Sequence, residues 1–354
     1  MSAGESLINW YDKNRRMLPW REDKNPFKIW LSEIILQQTR VDQGIPYYMK
    51  FIEKFPDIYS LALSHEQDVL KLWEGLGYYS RARNMLKAAK QVCEEFNGQF
   101  PADYNQLLKL KGVGQYTAAA IASIAFDLPH AVVDGNVQRV ISRYYNVKDA
   151  VDSSKGIKII RALAQELLVS GNSGKYNQSI MELGAMICKP AQPNCLQCPI
   201  NYTCLAFERN NALQFPVKQK KAKQKKRFMA YIIFIYKNTV LLQQRPSGDI
   251  WEGLWEPFLI EKESLNELNM PNINIINDKN LTKILISKLF IHHLTHQKLH
   301  VKFHIYKVKN IKEINFIYQE VAFSQLEKKP FPILIKKFLK SVEFKEVISK
   351  YTES

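Results

Sequence analysis

Apolar residues recur every three to four positions through roughly the first 190 residues, a helical period. Residues 5–20 read as an amphipathic helix with Leu7, Ile8, Trp10 and Tyr11 on its apolar face, ending before Leu18-Pro19. Trp20-Arg21 follows in an irregular stretch that closes near Asn25-Pro26, and residues 27–39 form the next helix. From 45 to 130 the pattern stays helical, with breaks at Phe55-Pro56, Gly75-Leu76-Gly77, Asn97-Gly98 and Phe100-Pro101. A tight turn, Gly112-Val113-Gly114, opens a helix of small apolar residues that Leu128-Pro129 ends. The apolar run Ala131-Val132-Val133 then leads to one carboxylate, Asp134, and residues 155–187 are helical again.

After about residue 228 the period falls to two, the mark of strands. Residues 229–236 and 239–245 read as strands around a Lys237-Asn238 turn, 254–260 as a third strand and 299–308 as a fourth. Residues 281–290 read as a helix, and 331–342 as a closing helix. Between the two patterns lies a composition break, residues 210–227, in which seven of the ten residues 218–227 are Lys or Arg. It reads as an exposed basic linker able to touch phosphate. The chain is therefore expected to hold an all-α region, 1–209, and an α+β domain, 228–350.

The net charge of +16 is uneven, about +4 over residues 1–210 and +12 over 211–354. A basic excess favours a polyanionic partner, nucleic acid first, although a lysine-rich solvated surface accounts for it equally well. No run is apolar enough to span a membrane, and the first residues lack a signal-peptide core. A reducing, cytoplasmic location is expected, where disulfides are rare.

The five cysteines then need another reading. Cys188, Cys195, Cys198 and Cys204 lie within 17 residues at a 6-2-5 spacing. Four thiolates can close a tetrahedral zinc site or hold the corners of an iron–sulfur cluster. Cys93, on an amphipathic helix, reads as an ordinary buried thiol. Glu33 is the second signal. Its helical neighbours Ile29, Trp30 and Leu36 are apolar, so the carboxyl faces inward or into a cleft. Burial raises a carboxyl pKa and makes it a candidate proton donor near neutral pH; an arginine-paired structural Glu is the plainer alternative. Tyr78-Tyr79 with Arg81 and Arg83 suits stacking and phosphate contact. His292, His293, His296, His300 and His304 read as surface and strand-face residues rather than ligands.

Taken together, the segments LPWR, WLSEIILQQT, EGLGYYSRARN, LKGVGQYTAAAIAS, VVDGNVQRV and YNQSIMELGAMIC, with the cysteine set, resemble the MutY-type adenine DNA glycosylase family. That family is a branch of the helix-hairpin-helix DNA glycosylase superfamily, which it shares with endonuclease III. The resemblance covers the first 210 residues densely and the C-terminal part, as a Nudix-like domain, less closely. It implies two helical lobes, 27–130 and 1–26 plus 131–187, with an iron–sulfur loop at 188–204. It implies a monomeric base-excision repair enzyme that hydrolyses the N-glycosidic bond of adenine mispaired with 8-oxoguanine or guanine in double-stranded DNA, preventing G:C to T:A transversions.

Residue by residue, the resemblance makes Glu33 the donor to adenine N7 and Asp134 the carboxylate that stabilises the sugar cation or a transient covalent adduct. Asn136 and Tyr116 would support that carboxylate and the intermediate. Tyr116 stands where lyase relatives carry a Schiff-base lysine, so attack by water is expected. Trp20, Arg21 and Gln178 would surround the flipped adenine. Gln38 and Tyr78, with Leu36, would wedge into the duplex. Gly112 and Gly114 would expose backbone amides to a DNA phosphate, and the four cysteines would hold a [4Fe-4S] cluster. The family's Phe-Ser-His recognition loop is here Leu294-Thr295-His296, in which Thr295 keeps a hydroxyl for the oxidised guanine. Residues 259–290 lack the carboxylate array of a Nudix hydrolase, so no nucleotide hydrolysis is expected. The alternatives are a thymine-mismatch or oxidised-pyrimidine glycosylase of the same superfamily and, from another class, a non-catalytic DNA-damage binder.

Overall fold

A computed structural model describes residues 2–219, 224–269 and 271–352. Its helices are, in order, α1 Ala3–Asn14, α2 Pro26–Leu36, α3 Val41–Lys54, α4 Ile58–Ala62, α5 Glu66–Leu72, α6 Ser80–Phe96 and α7 Tyr104–Lys109. There follow α8 Gln115–Phe126, α9 Gly135–Tyr144, α10 Ser154–Glu166, α11 Ser173–Met186, α12 Leu205–Glu208, α13 Ile333–Leu339 and α14 Val342–Thr352. The chain forms two compact units. One comprises residues 1–64 and 84–220, the other 65–83 and 221–354. The segment from His65 to Arg83 thus packs with the C-terminal part of the chain.

The first unit is helical. Leu7 of α1, Ala119 and Ala120 of α8, Val137 and Ile141 of α9, and Tyr176, Ile180 and Leu183 of α11 share one buried cluster. Local sequence sets the helix starts. Ser2 and Glu5 form a reciprocal capping box at α1. Asn25 accepts from the Phe27 and Lys28 amides ahead of α2, with Pro26 in its first turn. Asp134 is the N-cap of α9. Two glycines are required by geometry. Gly112 has φ +76°, and a Cβ there would lie 2.7 Å from Asn84 Cβ. At Gly184 on α11 a Cβ would lie 2.6 Å from Asn136 Cβ, so its absence lets α11 close against the first turn of α9.

Among the described residues, the second unit holds a mixed eight-stranded sheet. Its strands are β1 Lys225–Tyr236, β2 Thr239–Gln244, β3 Trp255–Glu256, β4 Phe258–Lys262, β5 Leu281–Ile286, β6 Phe290–His293, β7 Gln297–Val308 and β8 Gln319–Ala322. The main order is β3-β2-β1-β7-β5, with β4 beside β1, β6 beside β7 and β8 beside β2. The β1–β7 pair is parallel, and the other pairs are antiparallel. Along β1, Met229, Tyr231, Ile233 and Ile235 enter one core, whereas Ala230, Ile232 and Phe234 enter the other. A strand buried on both faces reads as one apolar run, as residues 229–236 do.

Several expected elements are corrected. The helix expected over 281–290 is strand instead, β5 and the start of β6. A register shift between Lys283 and Leu285 breaks the period-2 pattern that would have revealed it. The single strand over 254–260 is two, interrupted at Pro257. The closing helix is two, α13 and α14. The first helix stops at Asn14, because Arg15 turns extended (φ −60°, ψ 139°) and Glu182 captures the Arg16 amide. The second stops at Leu36, and Gln38 adopts φ +57°. Of the basic stretch, Lys225–Arg227 begin β1, while 220–223 lie outside the described residues.

Candidate active site

A cavity of about 770 Å³ opens in the helical unit, and several segments supply its polar wall. Trp20 and Arg21 come from a single helical turn, Pro19–Arg21, with Trp20 fixed edge-on to Tyr48 at 5.3 Å. Glu33 comes from α2, and Gly112, Gly114 and Tyr116 from the turn and first residues of α8. Asp134 and Asn136 come from the start of α9, and Gln178 and Glu182 from α11. Gln38 is exposed at this cavity, and Leu36 is half-buried there.

Glu33 is buried and accepts a hydrogen bond from the Tyr116 hydroxyl. Its pKa is pushed up to about 7. Burial is the main cause and Asp134 adds to it, while the Tyr116 hydrogen bond and Arg21 oppose it. Burial and the neighbouring Glu33 raise the Tyr116 phenol well above its ordinary range, so it stays a proton donor.

Asp134 caps α9. Its Oδ1 accepts from the Val137 amide at 2.7 Å and its Oδ2 from Asn136 Nδ2 at 2.8 Å. Burial raises its pKa, and these two donors, with Arg139, act against that. The helix N-terminus itself also favours negative charge. Asn136 is held in turn by Arg139, whose Nη2 donates to Asn136 Oδ1 at 3.0 Å. Arg139 also donates to the Gly184 and Cys188 carbonyls, at 2.8 and 2.7 Å. A continuous polar chain therefore runs from Asp134 to the first residue of the cysteine loop.

Cys188, Cys195, Cys198 and Cys204 are free thiols lining one small cavity with Arg143. Arg143 is buried and organises this loop. It donates to the carbonyls of Ala212, Lys189 and Pro190 at 2.7–2.8 Å and to Cys188 Sγ at 3.2 Å. Among the described residues, no three His, Cys, Asp or Glu side chains are grouped so as to hold a metal ion. The donor set, four thiols around one cavity, suits a group bound by four separate sulfurs.

Sequence reasoning missed Glu182, Arg16, Tyr11 and Arg139. Glu182 carries a weaker signal than Glu33: its helical neighbours Gln178, Ser179, Ala185 and Met186 are all uncharged, but two of them are polar. Tyr78 and Thr295 lie in the second unit, where their hydroxyls hydrogen-bond to each other. Tyr78 has φ +47°. Both line a cavity of about 460 Å³ with Trp251, His292 and Leu294. His304 is fully buried and bonds the Leu268 carbonyl at 2.8 Å, and His300 stacks on Phe228. In the second unit, Asn266–Asn269 and Asp278–Asn280 form short helical turns.

The family description "HhH-GPD superfamily base excision DNA repair protein" matches residues 31–168, and a NUDIX domain matches 230–341. The fold and the cavity define the class: a helix-hairpin-helix DNA glycosylase with a C-terminal Nudix-type domain. Adenine DNA glycosylase of Buchnera aphidicola subsp. Schizaphis graminum is 38% identical over 83% of this chain and 84% of its own length. The human adenine DNA glycosylase is 42% identical over 58% of this chain and 39% of its own. Among solved structures, a thermostable thymine-DNA glycosylase superposes with a TM-score of 0.54 at 28% identity, covering 58% of this chain and 95% of that one. An endonuclease III in a DNA complex superposes at 0.50 and 21% identity over 58% of this chain and 94% of that one, a likeness of fold. The chain belongs to the adenine DNA glycosylase family.

Proposed function

We propose that the protein is a monofunctional glycosylase that releases adenine mispaired with 8-oxoguanine or guanine in double-stranded DNA. The observation that carries the reading is the pairing, in one cavity, of a carboxyl poised at about pH 7 with a second carboxylate held by two N–H donors. Two acids with different protonation suit cleavage of a glycosidic bond, as in sugar hydrolysis.

The adenine leaves the stack and enters the cavity. Protonated Glu33 donates to N7, so the electron pair of the breaking C1′–N9 bond is taken up by a neutral leaving base. Ionised Asp134 faces the developing sugar cation, held by Asn136 and the Val137 amide. Water adds to C1′ and gives its proton to the carboxylate that Glu33 has become, leaving free adenine and an abasic site. Tyr116 offers a phenol committed to Glu33 rather than an amine, so no Schiff base forms. Trp20, Arg21 and Gln178 contact the base, and Gly112 and Gly114 contact the DNA backbone. Gln38 and Tyr78 enter the duplex, and Thr295 contacts the opposite base. Cys188, Cys195, Cys198 and Cys204 hold a [4Fe-4S] cluster, whose chemistry here is to bind four thiolates and shape their loop.

The test is single-turnover base release from A:8-oxoguanine, A:G and T:G duplexes. Release of adenine from the first two supports the reading. Release of thymine alone would assign a thymine-mismatch glycosylase, and tight binding without release from any duplex would assign a damage binder.

A further inference from the structure

We propose that Glu182 is a positioning residue of the base cavity: its carboxylate holds Arg16 and Arg21 in one arrangement, which sets the donors offered to the base and the charge that reaches Glu33. This rests on the adenine-release reading above. Glu182 has a fully buried side chain and is saturated. Its Oε1 accepts from the Arg16 amide at 2.9 Å and Arg16 Nε at 2.8 Å. Its Oε2 accepts from Arg16 Nη2 at 2.8 Å and Arg21 Nη2 at 2.9 Å. A carboxylate offers about four lone-pair sites, so none remains for the base. Its work is done through the arginines.

Arg21 is then fixed on three sides. Besides Glu182 it donates from Nη1 to the Arg16 carbonyl at 3.2 Å, and its guanidinium lies 5.4 Å from the centre of the Tyr11 ring. The same tyrosine donates its hydroxyl to Gln178 Oε1 at 2.7 Å, which leaves the Gln178 amide nitrogen as the group to meet a base. Gln178 and Glu182 stand one helical turn apart on α11 and hold residues 11–21 by both ends of this network. A planar fork locked before the base arrives offers donors without reorganisation.

The same carboxylate balances charge. The titratable and charged groups facing Glu33 are Tyr116 from α8, Asp134 at the start of α9 and Arg21 from the Pro19–Arg21 turn. Arg16, Arg161 and Glu182 complete the charged wall of the cavity. Arg21 favours the ionised form of Glu33. Glu182 stays ionised itself: burial acts to raise its pKa, but the hydrogen bonds from Arg16 and Arg21 hold it at about 2. With that charge removed, the uncompensated Arg21 guanidinium would pull the Glu33 proton off at lower pH.

The experiment is single-turnover adenine release from an A:8-oxoguanine duplex, measured across pH for the full chain and for Glu182→Gln, Glu182→Asp and Arg16→Met. For Glu182→Gln, release falls roughly tenfold at neutral pH, and the alkaline limb of the profile moves to lower pH by about one unit. Glu182→Asp keeps the charge and returns the limb towards the parent position. Arg16→Met removes one positive charge and moves the limb to higher pH. Limbs of both Glu182→Gln and Arg16→Met at the parent position overturn the proposal, whatever the loss of rate. If circular dichroism shows Glu182→Gln unfolded, Arg16→Met alone decides on the same criterion. A parent chain that releases no adenine from any duplex overturns the adenine-release reading instead.

Discussion

The Tyr116 hydroxyl donates a hydrogen bond to the Glu33 carboxylate, from a side chain eighty-three residues further along the chain. The bond stabilises the ionised form of Glu33 against the burial that disfavours it, and the net result is a pKa of about 7. If protonated Glu33 is the donor to the base, adenine release falls as pH rises through about 7. Tyr116→Phe removes a donor that favours the carboxylate, so this limb should move to higher pH by about one unit. A pH–rate series under single turnover checks it. An unmoved limb would show that the phenol acts elsewhere in the reaction.

Asp134 caps α9, and its carboxyl also lines the cavity, where the proposed chemistry uses it. Asn is as good a cap as Asp, so Asp134→Asn separates the two roles. The thermal midpoint should change little, corresponding to less than about 1 kcal/mol. Base release should fall by about 10³-fold, the scale seen for losing one preorganised electrostatic group. Full release by the variant is the outcome that would remove Asp134 from the chemistry.

Thr295 and Tyr78 share a hydrogen bond in the second unit. If the Thr295 hydroxyl contacts the oxidised guanine, Thr295→Ala should lower the rate on A:8-oxoguanine and leave A:G nearly unchanged. The loss of one hydrogen bond, about 1 kcal/mol, predicts a change of about fivefold in the ratio. Equal effects on both duplexes would point to a packing role.

Arg143 bonds the backbone on both sides of the cysteine loop. Arg143→Ala should leave several buried carbonyls without donors, at about 1–3 kcal/mol each. If the four cysteines hold a [4Fe-4S] cluster, lower iron and acid-labile sulfide per chain are expected, together with weaker visible absorbance. Undiminished iron content in the variant would separate the loop's order from Arg143.

His304 is buried in β7, and burial pushes its pKa down to about 4 from 6.5. The unfolded chain binds this proton first, so stability is full above pH 6.5 and declines as pH falls towards 4. The decline is about 1.4 kcal/mol for each pH unit. Denaturant melts of the full chain followed in this window should show a shallower pH dependence for His304→Leu. Parallel curves for the two proteins would exclude His304 as the source.

Much of the site is legible in the sequence because its chemistry is written in local pattern. Glu33 stands out as an acid among Ile29, Trp30 and Leu36, and the Gly112–Gly114 turn announces itself by its glycines. Glu182 carries a weaker signal, and the arginines that define it come from a segment more than 160 residues away. β5 is not legible as a strand because a bulge offsets its alternation.

By itself the sequence determined the helical and sheet regions, the order of the acids and the presence of four closely spaced thiols. These follow from periodicity, turn chemistry and spacing, all short-range properties. Only the tertiary structure decided that Tyr116 bonds Glu33, that Asn136 and Arg139 link Asp134 to the cysteine loop, and that Glu182 clamps two arginines. The physical reason is that protonation and orientation depend on burial and on partners brought together from distant parts of the chain. Those partners meet only when α2, α8, α9 and α11 pack around one cavity.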